Sequence, residues 1–164
     1  FFFYTVIANQ YEKINKFDKA EEYYEKALAM NKRFPALVKH YCGLLLKLNK
    51  HDRMLEVIEG LKGREKEMFH YFSFKGRAFY HKKLYGDALD TLLQANKIYD
   101  SDTSVLNALG LTLIQLKEKE EAIKALEASL KINDNQLSIA EVLNKLKAEV
   151  KPGGKKTGKK KKKK

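Results

Sequence analysis

Four columns of residues recur every 34 positions along this chain. Small residues stand at Ala20, Ala88 and Ala122, with Met54 in the intervening place of the same series, and at Ala8, Cys42, Gly76 and Gly110. A third column runs Tyr24, Ile58, Leu92, Leu126, and a fourth runs Ala27, Leu61, Ala95, Ser129. A fixed period in this range marks a repeat architecture. In such a chain one supersecondary unit cannot bury its apolar face alone and stacks on its neighbours instead.

The inside of one period tells what the unit is. Each small residue of the second column is followed three residues later by a large one, Tyr11, Leu45, Phe79 or Leu113, which sets both on one helical face. A polar turn follows at Asn15-Lys16, Asn49-Lys50, Lys83-Leu84 and Lys117-Glu118. A second amphipathic stretch then carries a small, large, small triplet such as Ala20, Tyr24, Ala27. Small residues let two helix backbones approach closely, and the large ones fill the groove beside them. The predicted unit is helix, turn, helix.

These residues resemble the tetratricopeptide repeat family. The first unit carries its pattern as Tyr4, Ile7, Ala8, Tyr11, Phe17, Ala20, Tyr24 and Ala27, and the fourth as Leu106, Leu109, Gly110, Leu113, Ala122, Leu126 and Ser129. The second unit departs most, with Met54 and Leu61 where small residues are usual, so its two helices are expected to sit farther apart or rotated. The third has Lys75 at its seventh place. The resemblance implies an all-α, right-handed superhelical solenoid of four helix-turn-helix hairpins plus a C-terminal capping helix. Four repeat units fill 1–134, at about 1–34, 35–68, 69–102 and 103–136. Residues 135–150 form the capping helix, with Leu137, Ile139, Val142, Leu143, Leu146 and Val150 on one side. Pro152-Gly153-Gly154 then ends helical structure, and 151–164 is expected to be a lysine-rich tail disordered by self-repulsion.

Charge follows the same division. The chain has 33 basic and 21 acidic residues, a formal +12, but nine of the lysines lie in 151–164, which leaves 24 basic against 21 acidic, or +3, for residues 1–150. A nearly neutral body supplies no broad phosphate-binding face. Lys155, Lys156, Lys159 and Lys160 of the tail are candidates for non-specific attachment to nucleic acid or another anionic surface by counterion release. No aromatic is interleaved with them for base stacking. The segment Gly153 to Lys160 nearly spells a phosphate-cradling loop, but Lys160 stands where the magnesium-binding hydroxyl belongs, and no strand precedes it.

The other chemistry-bearing residues point away from catalysis. His40, His51, His70 and His81 do not converge with carboxylates at ligand spacing, so no catalytic residue, metal or cofactor is expected. Cys42, the single cysteine, falls in a small-residue column and reads as a buried small hydrophobe in a reducing, cytoplasmic setting. Phe1-Phe2-Phe3-Tyr4 opens an apolar run too short to span a bilayer, and the lack of an initiator Met suggests a truncated or processed chain.

The resemblance also implies a site. In the family the first helix of each unit lines a concave wall, and carrying its contact places over gives Asn9, Lys39, His40, Lys47, Phe74, Arg77, Tyr80, His81, Leu111 and Gln115 as the partner-binding groove. Its middle is basic and aromatic and its C-terminal end apolar. The expected function is a scaffold or adaptor that holds a partner peptide or helix with an acidic portion near Lys39 and Arg77 and an apolar one near Leu111. The alternative is a nucleic-acid- or ribonucleoprotein-associated factor attached through the tail. The family's clamp for chaperone carboxyl termini is not expected, because Thr5, Asn9, His40, His70 and Phe74 occupy its places and only Asn9 agrees.

Overall fold

The computed structural model describes residues 1–31, 34–61 and 68–150. Among these residues the chain forms nine α-helices and no strand. They are α1 (Phe2–Lys13), α2 (Phe17–Met30), α3 (Pro35–Lys47), α4 (His51–Glu59), α5 (Phe69–His81), α6 (Tyr85–Ile98), α7 (Thr103–Gln115), α8 (Lys119–Ile132) and α9 (Leu137–Val150). Each helix packs on the next in chain order, and the odd-numbered helices α1, α3, α5 and α7 also touch one another in series. This is an all-α helical repeat solenoid.

The periodic columns become the contacts that hold each pair together. Ala20, Met54, Ala88 and Ala122 are completely buried, and so are Tyr24, Ile58, Leu92 and Leu126. The glycines show how close the backbones come. A β-carbon placed on Gly76 would fall 2.6 Å from Leu92 Cγ, and one on Gly110 would fall 2.6 Å from Leu126 Cγ. Hydrogen at the α-carbon lets the large side chain of the second helix lie directly against the first.

The four turns repeat the same backbone solution. Asn15, Asn49, Lys83 and Lys117 take the left-handed conformation, with φ of 56°, 56°, 63° and 66°. At the first turn Lys16 N donates to Tyr11 O at 2.9 Å and Asn15 N to Glu12 O at 3.0 Å. The other three turns repeat this pattern. These paired bonds satisfy carbonyls that a helix end leaves open. Asparagine tolerates the conformation; lysine adopts it at a cost. Between pairs the starts are set differently, by Pro35 at the first turn of α3 and by Asp102, whose carboxylate accepts from Val105 N at 2.9 Å to cap α7.

Ion pairs stitch successive pairs. Glu21 takes Lys50 at 2.6 Å, and Glu25 accepts two bonds of 2.8 Å from Arg53 together with the Tyr41 hydroxyl. Burial, reinforced by the bond to Glu25, pushes the Tyr41 phenol far up. Glu59 takes Lys75 at 2.6 Å. At the far end α9 buries Leu143 and Leu146 against α8 and is tied to it by Lys119–Glu149 and Lys147–Glu127, at 2.7 and 2.5 Å. Its outward residues Glu141, Asn144, Lys145 and Ala148 are exposed.

The second hairpin differs from the others in one dimension. Its second helix, α4, has nine residues where α2, α6 and α8 have 14 each. Met54 and Leu61 are nevertheless enclosed. Lys75, the departure in the third unit, is half-buried over the Tyr71 ring, with its ammonium drawn out to Glu59.

Candidate functional site: a concave groove in two cavities

The side-by-side odd helices present one wall, and two open cavities of about 410 Å³ each lie along it. The first is lined by Glu12, Lys39, His40, Gly43, Leu46, Lys47, Phe74 and Arg77. The second is lined by Arg77, Tyr80, His81, Ser104, Asn107, Ala108, Leu111, Gln136, Ser138 and Ile139. Arg77 belongs to both and forms the sill between them. Of the expected groove residues, Lys39, His40, Lys47, Phe74 and Arg77 meet in the first cavity, and Arg77, Tyr80, His81 and Leu111 in the second.

Two expected residues stand apart. Asn9 lines neither cavity: its Oδ1 is 2.5 Å from the Tyr24 hydroxyl, so it serves the contact between α1 and α2. Gln115, the last residue of α7, is exposed beyond the second cavity. Lys155, Lys156, Lys159 and Lys160, and the helix break at Pro152-Gly153-Gly154, lie outside the described residues.

Charge in the groove is less free than the sequence implies. Lys47 reaches across to Glu12 at 2.5 Å, which neutralises it locally. Arg77 is different. It is half-buried, and among the described residues it has neither an ion pair nor a hydrogen bond; its guanidinium carbon lies 6.0 Å from the centre of the Phe74 ring. Burial lowers its proton affinity, opposed by Asp102, whose carboxylate is already engaged in capping α7.

The histidines do not form a metal cluster. Among the described residues no group of three or more histidine, cysteine or carboxylate side chains is placed to hold an ion. Instead the His51 and His81 rings stack in parallel, with centroids 4.3 Å apart, and join α4 to the end of α5. Burial holds His51 below the usual imidazole range against the opposing pull of Asp52. Burial does the same to His81, helped by His51 and Arg77. Cys42 is fully enclosed, which pushes its thiol up to about 12 and makes it inert as a nucleophile.

The C-terminal end of the groove is a correction to the expected apolar character. Gln136, Ser138 and Ile139 come from the approach to α9 and its first turn, so that polar groups join the aliphatic ones in the lining. Gln136 is held there: its amide nitrogen donates to Ser129 Oγ at 3.1 Å and to Asn133 O at 2.8 Å, and its carbonyl accepts from Asn107 at 2.7 Å. A signal for this was present in the register. Continued past 136, the 34-residue count puts Ser138 at the second place of a further unit, one of the contact places of the repeat.

Comparison with known proteins agrees with the fold. Tetratricopeptide repeat models match residues 2–34 and 103–136. Those two stretches are tetratricopeptide repeats. Among curated proteins, the chain is 36% identical over 67 residues to the type IV pilus assembly protein PilF of Pseudomonas aeruginosa, a match taking in 40% of this chain and 27% of that protein. Among solved structures, TTC0263, a thermophilic TPR protein of Thermus thermophilus, aligns over 89% of this chain and 80% of its own, with a TM-score of 0.72 and 20% identity. The Cut9–Hcn1 hetero-tetramer of the APC/C aligns over 87% of this chain but only 29% of that one, with a TM-score of 0.73 and 21% identity. Such identities carry the fold. Among the described residues no helix is long and apolar enough to cross a membrane.

Proposed function

We propose that this tetratricopeptide repeat protein is an interaction scaffold that holds a partner polypeptide along the wall formed by α1, α3, α5 and α7, and that it catalyses no reaction. The observation that carries the reading is Arg77, a half-buried cation that has no ion pair or hydrogen bond among the described residues and lines both open cavities. A guanidinium withdrawn from water favours a bound anion, which points to an acidic portion in the partner. Lys39 and His40 on one side, and Leu111 with Ile139 on the other, suit a segment of mixed character. The repeats support protein binding in general, and the pilus-assembly role in PilF's name and the Cut9–Hcn1 hetero-tetramer accord with it. A reducing, cytoplasmic location fits the single buried cysteine. The units 1–34, 35–68, 69–102 and 103–136, capped by 135–150, are the frame of this reading.

The test is affinity capture from cell extract at moderate salt, comparing the full chain, a version ending at Val150, and Arg77→Glu. Retention of the same proteins by the first two and their loss with Arg77→Glu is the expected result. A second reading rests on the concentration of nine lysines in 151–164. Retention that needs the tail, falls steeply with salt and disappears with nuclease makes the chain a nucleic-acid-associated factor instead.

A further inference from the structure

We infer that the second cavity selects an extended peptide segment carrying a carboxylate and an aliphatic side chain two positions apart, with α9 supplying part of the site. This inference rests on the groove reading above and refines it. The lining of the cavity is chemically mixed. α5 supplies Arg77 and His81, α7 supplies Leu111, and α9 supplies Ile139, with Ser104 and Ser138 also on the wall.

The cation is the selective element. Among the described residues the other half-buried lysines and arginine are spoken for: Arg53 holds Glu25 and Glu56, Lys75 holds Glu59, and Lys119 holds Glu149. Arg77 has only the Phe74 ring beneath it, and the acidic group that acts on it, Asp102, is committed to the α7 cap. A planar guanidinium takes a carboxylate with two parallel bonds, and its value rises as water is displaced.

An extended segment suits a single opening that offers unlike groups. In an extended chain alternate side chains share a face about 7 Å apart, so residues two positions apart can meet the cation and the aliphatic groups together. The other polar groups of the lining suit backbone amides that a helix would keep to itself.

The aliphatic part of the lining is built, not incidental. Ile139 is presented by the first turn of α9, and the approach to that turn is anchored by the Gln136 bonds to Ser129, Asn133 and Asn107. The closing helix thus has a second task beside covering α8.

A random-peptide phage library selected on the full chain tests this. Enriched sequences should carry Asp or Glu two positions from Leu, Ile or Val, with one residue between them. Synthetic versions should lose about tenfold or more in affinity with Arg77→Gln and with Ile139→Ser, and part of the loss should be restored by Arg77→Lys. Survival of binding when the peptide C-terminus is amidated assigns the carboxylate to a side chain; loss assigns it to the chain terminus, and either fits the site. Peptides that lack the acidic residue but are displaced by Lys39→Glu or Tyr80→Ala overturn this inference and leave the groove reading standing. Peptides insensitive to every groove substitution, or none enriched, overturn both. Circular dichroism melting of each variant separates loss of binding from loss of fold.

Discussion

The second and fourth hairpins share one register and fill it in opposite ways. In the fourth, Gly110 and Ala122 leave the helices in close contact and Leu126 lies directly against Gly110. In the second, Cys42 and Met54 occupy those places, Ile58 stands where Leu126 does, and all three are fully enclosed. One interface sets a large side chain of the second helix directly against a glycine; the other fills its seam with side-chain atoms from both helices. Its second helix is also the shortest of the four, nine residues against 14. The difference teaches that the periodic pattern specifies a packed layer and not a particular residue, because what the core requires is filled space at high density.

The comparison can be broken most directly at Met54. Met54→Ala restores the small residue usual at that place, yet it should destabilise by about 2 to 5 kcal/mol, because the seam already accommodates the thioether and would be left with a cavity. Urea denaturation measures it; no loss would mean the seam can close and that the two hairpins differ only in composition.

Gly110→Ala is the converse. Its new methyl meets Leu126, and the expected cost is about 1 to 3 kcal/mol. Cys42→Ala at the matching place should stay below about 1.5 kcal/mol, since that position already carries a β-carbon. Equal costs in thermal melts would remove the proposed difference between the two interfaces.

The turns sharpen the contrast at smaller scale. Lys117 holds a left-handed φ of 66°, so Lys117→Gly should stabilise by about 0.5 to 1 kcal/mol, the relief exceeding the extra freedom of the unfolded chain. Asn49→Gly, at the matching turn of the second hairpin, should change stability by only a few tenths, about 0.3 kcal/mol, because asparagine already tolerates this conformation.

The smallest expected effect is on pH, and it belongs to one side of the comparison. His51 and His81 both lie below the ordinary value in the folded state, chiefly through burial. The folded chain therefore binds their protons less readily than the unfolded one. Their contribution is fully present above about pH 6.5 and is lost as pH falls from there through the folded values. Hydrogen exchange should show α4 and α5 loosening between pH 7.5 and 5.5 while α7 and α8, which contain no histidine, do not follow. His51→Phe should flatten the dependence. A slope unchanged by that substitution would place the titrating group elsewhere.

How much of this was legible beforehand follows from what each feature depends on. The four columns predicted the hairpin contacts residue by residue, and each of their members among the described residues is buried, because packing between adjacent helices is local and repeats with the chain. The turns were legible as polar pairs, but not the left-handed residue in each, since lysine carries no propensity for it. Lys39, His40, Phe74, Arg77, Tyr80, His81 and Leu111 were placed on the wall by the family's contact register, and they line it.

What escaped the sequence were relations between units. That Asn9 is held by Tyr24, that Lys47 is neutralised by Glu12 while Arg77 finds no counter-charge among the described residues, and that Gln136, Ser138 and Ile139 complete the last cavity all depend on side chains from different helices meeting across the stack. Periodicity determines which face of a helix is buried. Which charge finds a counter-charge is decided by distances of a few ångströms between elements far apart in the chain, and those exist only once the hairpins are stacked.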